Sequence, residues 1–238
     1  MKLAIIGYGR MGHEIEQIAI QRGHTINLII DKDNTDDLNR QNLKYIDAAI
    51  EFTLPDSAFG NIIKCLELQV PVVSGTTGWL KDYEKAAESC KLHNTSFIHS
   101  TNFSIGVNIL FCLNSELARI LSGYPEYSPA IEEVHHINKL DAPSGTAISL
   151  ANGIKKGHPS YAGWSAGNGY SEKMIPIHSV REGSVPGIHT ISWSSEIDII
   201  SLKHEIKSRK GLAYGAMLAA EYISGRKGIF SMSDVLGF

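Results

Sequence analysis

The 238-residue sequence predicts an α/β fold in two domains, an N-terminal doubly wound parallel sheet and a second α+β domain with an open, largely antiparallel sheet. Three observations lead there. Over the first hundred residues, short continuous apolar runs alternate with helical patterns, as in βαβ units. The first apolar run passes directly into a spaced glycine triplet. Between residues 174 and 204, three strand-like runs follow one another with no helical pattern between them.

Taken in order, residues 3–6, 25–30, 47–52, 70–74 and 96–98 read as strands, and 11–21, 56–68 and 80–92 as helices. The strands are unbroken Ile/Val/Leu/Ala runs and not alternating ones, which suits a sheet covered by helices on both faces. Past Asn102 the pattern changes to a long helix at 105–121, an alternating run at 131–137 and a helix at 144–155. A Gly/Ser/Tyr-rich stretch at 157–169 reads as a mobile loop. Strands at 174–180, 187–194 and 197–204 then predict a sheet covered on one face, whose other face needs a partner. A helix at 210–224, ending at Gly225, and a short tail to Phe238 return the chain to the first domain. The expected division is 1–103 plus 209–238 for dinucleotide binding, and 104–208 for substrate binding and oligomerisation.

Composition narrows the function classes. With 43% hydrophobic and 20% charged residues the chain can bury a core, and a formal net charge of -3 without basic runs argues against nucleic acid or a membrane surface as partner. The N-terminal apolar run is too short for a signal-peptide core and no stretch approaches the ~20 apolar residues of a membrane span, so a cytoplasmic location is expected. Cys65, Cys90 and Cys112 stand singly inside helical patterns and read as buried thiols, not as a disulfide or zinc framework.

Gly7-Tyr8-Gly9-Arg10-Met11-Gly12 lies where the first strand hands over to a helix, the Rossmann setting in which G-x-G-x-x-G carries a pyrophosphate. Gly7 serves the tight turn, Gly9 the approach of the phosphates and Gly12 the packing of helix on strand. Asp31, at the end of the second strand, is the expected ribose-binding carboxylate, and Lys32 beside it suits a 2'-phosphate, so NADH and NADPH both remain open. Gly75-Thr76-Thr77 and Ser100-Thr101-Asn102-Phe103 follow the fourth and fifth strands at the edge where ligands of open α/β sheets bind. Both also read as plain turns and caps.

Chemistry concentrates between Glu132 and Ala147. His135 and Lys139, four apart, share a face in a helix or a strand, while His136 points the other way on a strand. Pro143 followed by Ser144-Gly145-Thr146 reads as a helix start whose unpaired N–H groups bind a carboxylate or phosphate. A proton-donating His, an anion-fixing Lys and an anion-binding turn make a reductive site; the plainer reading is a structural histidine pair. Zinc is not expected, since adjacent histidines on a strand diverge and no further ligand stands at a recognisable spacing.

Four blocks resemble the dihydrodipicolinate reductase family: residues 6–12, 75–78, 102–108 and, most specifically, 133–147. Weaker echoes at 179–183, 187–190, 204–215 and 230–236 extend the resemblance over nearly the whole chain. It implies reduction of 4-hydroxy-tetrahydrodipicolinate to tetrahydrodipicolinate by NADH or NADPH with loss of water, in lysine and diaminopimelate biosynthesis, by a homotetramer. It also implies His135 as proton donor and Lys139 as second catalytic residue. His136, Gly145 and Thr146 would touch the small dicarboxylate substrate, and Gly7 to Met11, Gly75 to Thr77 and Ser100 to Phe103 the cofactor. The chain departs from the family in a glycine loop one residue shorter and in an abbreviated region before Tyr45. Two other readings compete, a different Rossmann reductase and a non-catalytic dinucleotide sensor. With its two ligands on separate domains, the reductase is expected to close about 102–104 and 207–210.

Overall fold

The computed structural model describes residues 1–167, 173–208 and 210–238. The chain divides into two compact units, Met1–Ile105 with Lys210–Phe238, and Gly106–Arg209. In the first unit β1 (Lys2–Ile6), α1 (Arg10–Gln21), β2 (Thr25–Ile30), a short α2 (Arg40–Leu43), β3 (Ala48–Glu51), α3 (Pro55–Glu67), β4 (Val72–Ser74), α4 (Tyr83–Leu92) and β5 (Ser96–His99) succeed one another. α5 (Ile105–Leu121), β6 (Ser128–His135), α6 (Gly145–Gly157), β7 (Gly163–Ala166), β8 (Met174–Arg181), β9 (Ile188–Ser194) and β10 (Ile199–Glu205) follow. The first unit is completed by α7 (Lys210–Ile223), β11 (Gly228–Phe230) and α8 (Met232–Leu236).

The first sheet runs β11-β5-β4-β3-β1-β2, and every pairing in it is parallel. Successive residues of β1 bury on opposite faces, Leu3 and Ile5 with α1, α7 and α8, and Ala4 and Ile6 with α3 and α4. Two-sided burial is why these strands read as unbroken apolar runs. α1 turns Ile15, Ile18 and Ala19 inward at helical spacing. The order reverses between β1 and β3, and the crevice at the carboxyl ends of those two strands is where such sheets take ligands. The tail is more than a loop: β11 pairs with β5 as the sixth strand, and the capping box of Ser231 and Asp234 starts α8.

The second sheet runs β10-β9-β6-β8-β7, with α5 and α6 packed on the face of Ile131, Ile177, Ile191 and Trp193. It is mixed. The β10–β9 and β9–β6 pairings are antiparallel, as expected, whereas β6–β8 and β8–β7 are parallel. The reason is connectivity: α6 carries the chain over from β6, so β8 comes back beside it in the same direction, and β6 enters between β8 and β9. β7 corrects the reading of 157–169 as loop throughout; pairing with β8 makes Gly163–Ala166 an edge strand despite its loop-like composition. Asn168 and Gly169 of that stretch, and Arg209 of the second crossing, lie outside the described residues. Cys65 and Cys90 are buried, but Cys112 on α5 is only half-buried, because its helix covers the sheet with one side only. Among the described residues no helix is long and apolar enough to cross a membrane.

Candidate active site

In the first unit, the turn from β1 to α1 supplies a phosphate cradle. A β-carbon on Gly7 would stand 2.0 Å from the Phe52 carbonyl oxygen and one on Gly12 2.5 Å from that of Gly7, so both must be glycine for β1, β3 and α1 to meet. Nothing lies within 4 Å of a β-carbon built on Gly9, which leaves the backbone open to a ligand. Gly9 is also the N-cap of α1 and has no side-chain cap, so the first N–H groups of the helix await an acceptor. These features fit a dinucleotide. A cavity of about 350 Å³ is lined by Gly7, Tyr8, Gly9, Asp31 and Lys32 together with Thr53 and Asn61. A second of about 450 Å³ gathers Gly9, Arg10, Met11, Gly75, Thr76 and Thr77.

Glu51 organises this crevice from beneath. Its fully buried carboxylate accepts from the Thr53 N–H at 2.9 Å, from the Ser74 hydroxyl at 2.6 Å and from the Thr76 hydroxyl at 2.8 Å, as well as from the Thr53 hydroxyl. The Thr76 hydroxyl also accepts from the Thr53 N–H. The loops after β3 and β4 are thereby joined. The stretch 100–103 lines neither cavity: Ser100 and Asn102 hydrogen-bond within their own turn and to Ser104, and the Phe103 ring is core. Phe103 is buried as a whole, with its carbonyl oxygen packed close against Gly215.

In the second unit, Glu133 and His135 lie two apart on β6 and therefore share its covered face. Glu133 accepts from the Ser144 N–H (3.0 and 3.1 Å), the Ser179 hydroxyl (2.7 Å) and Arg181 (3.3 Å). Its other oxygen lies 3.5 Å from His135 Nδ1 and 3.7 Å from His189 Nε2. Burial pushes the Glu133 carboxyl up, but the hydrogen bonds from Ser144 and Ser179 and the charge of His135 outweigh it and hold it below the usual carboxylate range. Burial lowers His135, with Glu133 and Asp141 opposing and Lys139 and Arg181 reinforcing. His189, its ring 5.1 Å from that of His135, is driven down to about 4, chiefly by burial. On the far side of His135, Nε2 faces the backbone of Gly187, where a β-carbon would stand 3.2 Å away.

Several expectations change here. β6 ends at His135, so Lys139 is not on a shared strand or helix face; it sits in the following turn, its ammonium on Asp141 at 2.7 and 2.9 Å. That bond holds the Asp141 carboxyl below its ordinary range. His136 accepts from the Lys139 N–H through its carbonyl, within the same turn. Ser144 does not offer a free N–H, because Glu133 takes it, and the Ser144 hydroxyl caps α6 at Ala147 and meets His189 Nε2 at 3.2 Å. The open donors of the first turn are therefore those of Gly145 and Thr146. The sequence reading found no third ligand-type group beside the histidines, yet Glu133, His135 and His189 bring ligand atoms within 4.8 Å of one another. Arg181 pairs with that carboxylate at 3.3 Å.

The family model described as dihydrodipicolinate reductase, N-terminus, matches residues 1–103, and that described as dihydrodipicolinate reductase, C-terminus, matches 106–236. The chain belongs to the dihydrodipicolinate reductase family. A 4-hydroxy-tetrahydrodipicolinate reductase from Christiangramia forsetii is 49% identical over 99% of this chain and 98% of its own. One from Thermosipho africanus is 32% identical over the same shares. Among solved structures, a dipicolinate-bound dihydrodipicolinate reductase from Paenisporosarcina sp. shares the fold at a TM-score of 0.77 and 24% identity, covering 97% of each chain. An amine dehydrogenase from Mycobacterium smegmatis shares it at a TM-score of 0.64 and 9% identity, over 98% of this chain and 95% of that one. Within the family frame, Glu133, Ser179, Arg181 and His189 are residues that the sequence reading did not single out. An acid two positions before a histidine on a period-two strand was the available sign of Glu133; His189 lies in the weaker echo at 187–190 and reaches the cluster from β9.

Proposed function

We propose that this chain reduces 4-hydroxy-tetrahydrodipicolinate to tetrahydrodipicolinate with NADH or NADPH, a step of lysine and diaminopimelate biosynthesis. The observation that carries the reading is the cluster of the second unit: a buried His135 backed by a carboxylate, with a free helix turn and a lysine close in sequence, in a chain of this family. The dinucleotide supplies a hydride, which takes the place of the 4-hydroxyl; that group leaves as water with one proton. Tyr8, Gly9, Arg10 and Met11 bind the phosphates, Asp31 and Lys32 the adenosine ribose, and Gly75, Thr76 and Thr77 border the nicotinamide end.

The N–H groups of Gly145 and Thr146 take one ring carboxylate, and Lys139 leaves Asp141 to meet it. His136 borders the ring. His135 gives its proton from Nε2, and its remaining Nδ1–H then faces Glu133. The active form is a cytoplasmic homotetramer built on the uncovered face of the second sheet, where Ile199 is 65% and Val180 39% exposed. Oxidation of NADH or NADPH by the purified chain, fed by the preceding synthase reaction, tests the activity, and His135→Ala is expected to lower it by about 10²- to 10⁴-fold. No turnover in the wild type, with dinucleotide still bound, would point to a sensor instead.

A further inference from the structure

We propose that Glu133 is a positioning residue that sets the acid and the carboxylate-binding turn as a single unit. The proposal rests on the reductase reading above. Its basis is geometric: one fully buried carboxylate anchors the N-cap of α6 through the Ser144 N–H and lies 3.5 Å from His135 Nδ1. Gly145 and Thr146 follow that anchor immediately, so their N–H groups are aimed by it. Ser179 and Arg181, both from β8, hold the carboxylate in turn.

His135 Nδ1 makes no hydrogen bond among the described residues, and the Glu133 carboxylate lies 3.5 Å from it. An anion there favours the imidazolium before proton transfer and the Nδ1–H tautomer after it. Nε2 is left to face the bare backbone of Gly187 as the donating nitrogen. The other charged and titratable groups around the pair are Arg181 from β8, His189 from β9, and Lys139 and Asp141 from the loop before α6; His204 on β10 acts on His189. Among these, Glu133 and Asp141 favour the protonated imidazole, and Glu133 is the buried one.

The proposal gives Glu133 one effect on the acid, which a carboxylate that only anchored α6 would not have, and one on the anion-binding turn. In Glu133→Gln the descending limb of the pH profile of kcat/KM, where His135 loses its proton, moves to lower pH by about one unit or more, so turnover above the limb falls by a further tenfold or more. Affinity for pyridine-2,6-dicarboxylate, read by calorimetry, falls in the same variant. Ser179→Ala, which keeps the charge and removes one donor, leaves the limb where it is. A limb unmoved in Glu133→Gln while the wild type turns over overturns the proposal; a wild type without turnover overturns the reductase reading instead. Should Glu133→Gln fail to fold, ¹⁵N-histidine spectra of the wild type decide, with neutral His135 protonated on Nδ1 as the expected result and the Nε2–H tautomer as the one that overturns it.

Discussion

Replacing His189 by asparagine removes a histidine that the fold keeps neutral, and the consequence is a change in how stability depends on pH. The imidazole is 2% exposed, and burial with the nearby His135 drives it from an ordinary 6.5 down to about 4. Between those values the unfolded chain binds a proton that the folded chain refuses, so the stability this group contributes is present above pH 6.5 and is lost as pH falls toward 4. Each unit is worth 1.36 kcal/mol, so from pH 6.5 to 5 the wild type loses about 2 kcal/mol through this residue alone. The variant starts lower at pH 7.5, having lost the imidazole's packing and its contact with the Ser144 hydroxyl, but lacks that loss. The stability gap between the two should therefore narrow by about 2 kcal/mol between pH 7.5 and 5. Hydrogen exchange of peptides from β6, β9 and α6, measured by mass spectrometry across that range, reads the gap in the unit concerned. A gap of constant size would show that His189 titrates as it does in water, and would refute the account of the buried cluster.

Three further outcomes follow from the same geometry. Gly187→Ala puts a β-carbon 3.2 Å from His135 Nε2, so turnover should drop by at least about tenfold while calorimetric NADH affinity stays unchanged; full turnover would mean that Nε2 is not the donating nitrogen. Gly7→Ala forces a β-carbon to 2.0 Å from the Phe52 carbonyl oxygen, and dinucleotide titration should show affinity weakened by at least about tenfold, with a wild-type Kd refuting the cradle. Glu51→Gln turns a pure acceptor into an amide whose N–H groups meet the donors of Thr53, Ser74 and Thr76, which should cost about 1–3 kcal/mol in chemical denaturation and weaken NADH binding; a variant as stable and as tight as wild type would sink that role.

Whatever rests on local periodicity and local turn chemistry was readable along the chain. The apolar runs of β1 to β5, the span of α5 and the glycine loop were legible because two-sided burial, helical spacing and tight turns each constrain neighbouring residues directly. The same holds for the block from Glu133 to Thr146, where His135, Lys139 and the start of α6 stand in one stretch. Tertiary structure decided what depends on partners distant in sequence. Gly163–Ala166 is a strand because β8 offers its edge, and the second sheet is mixed because β6 inserts between β8 and β9. The Ser144 N–H is taken because Glu133, eleven residues earlier, claims it, and His189 joins His135 only through the β6–β9 pairing. A buried carboxylate or imidazole acquires its charge state from the groups the fold brings against it, and residues 133, 144, 179, 181 and 189 meet only once four separate segments are packed.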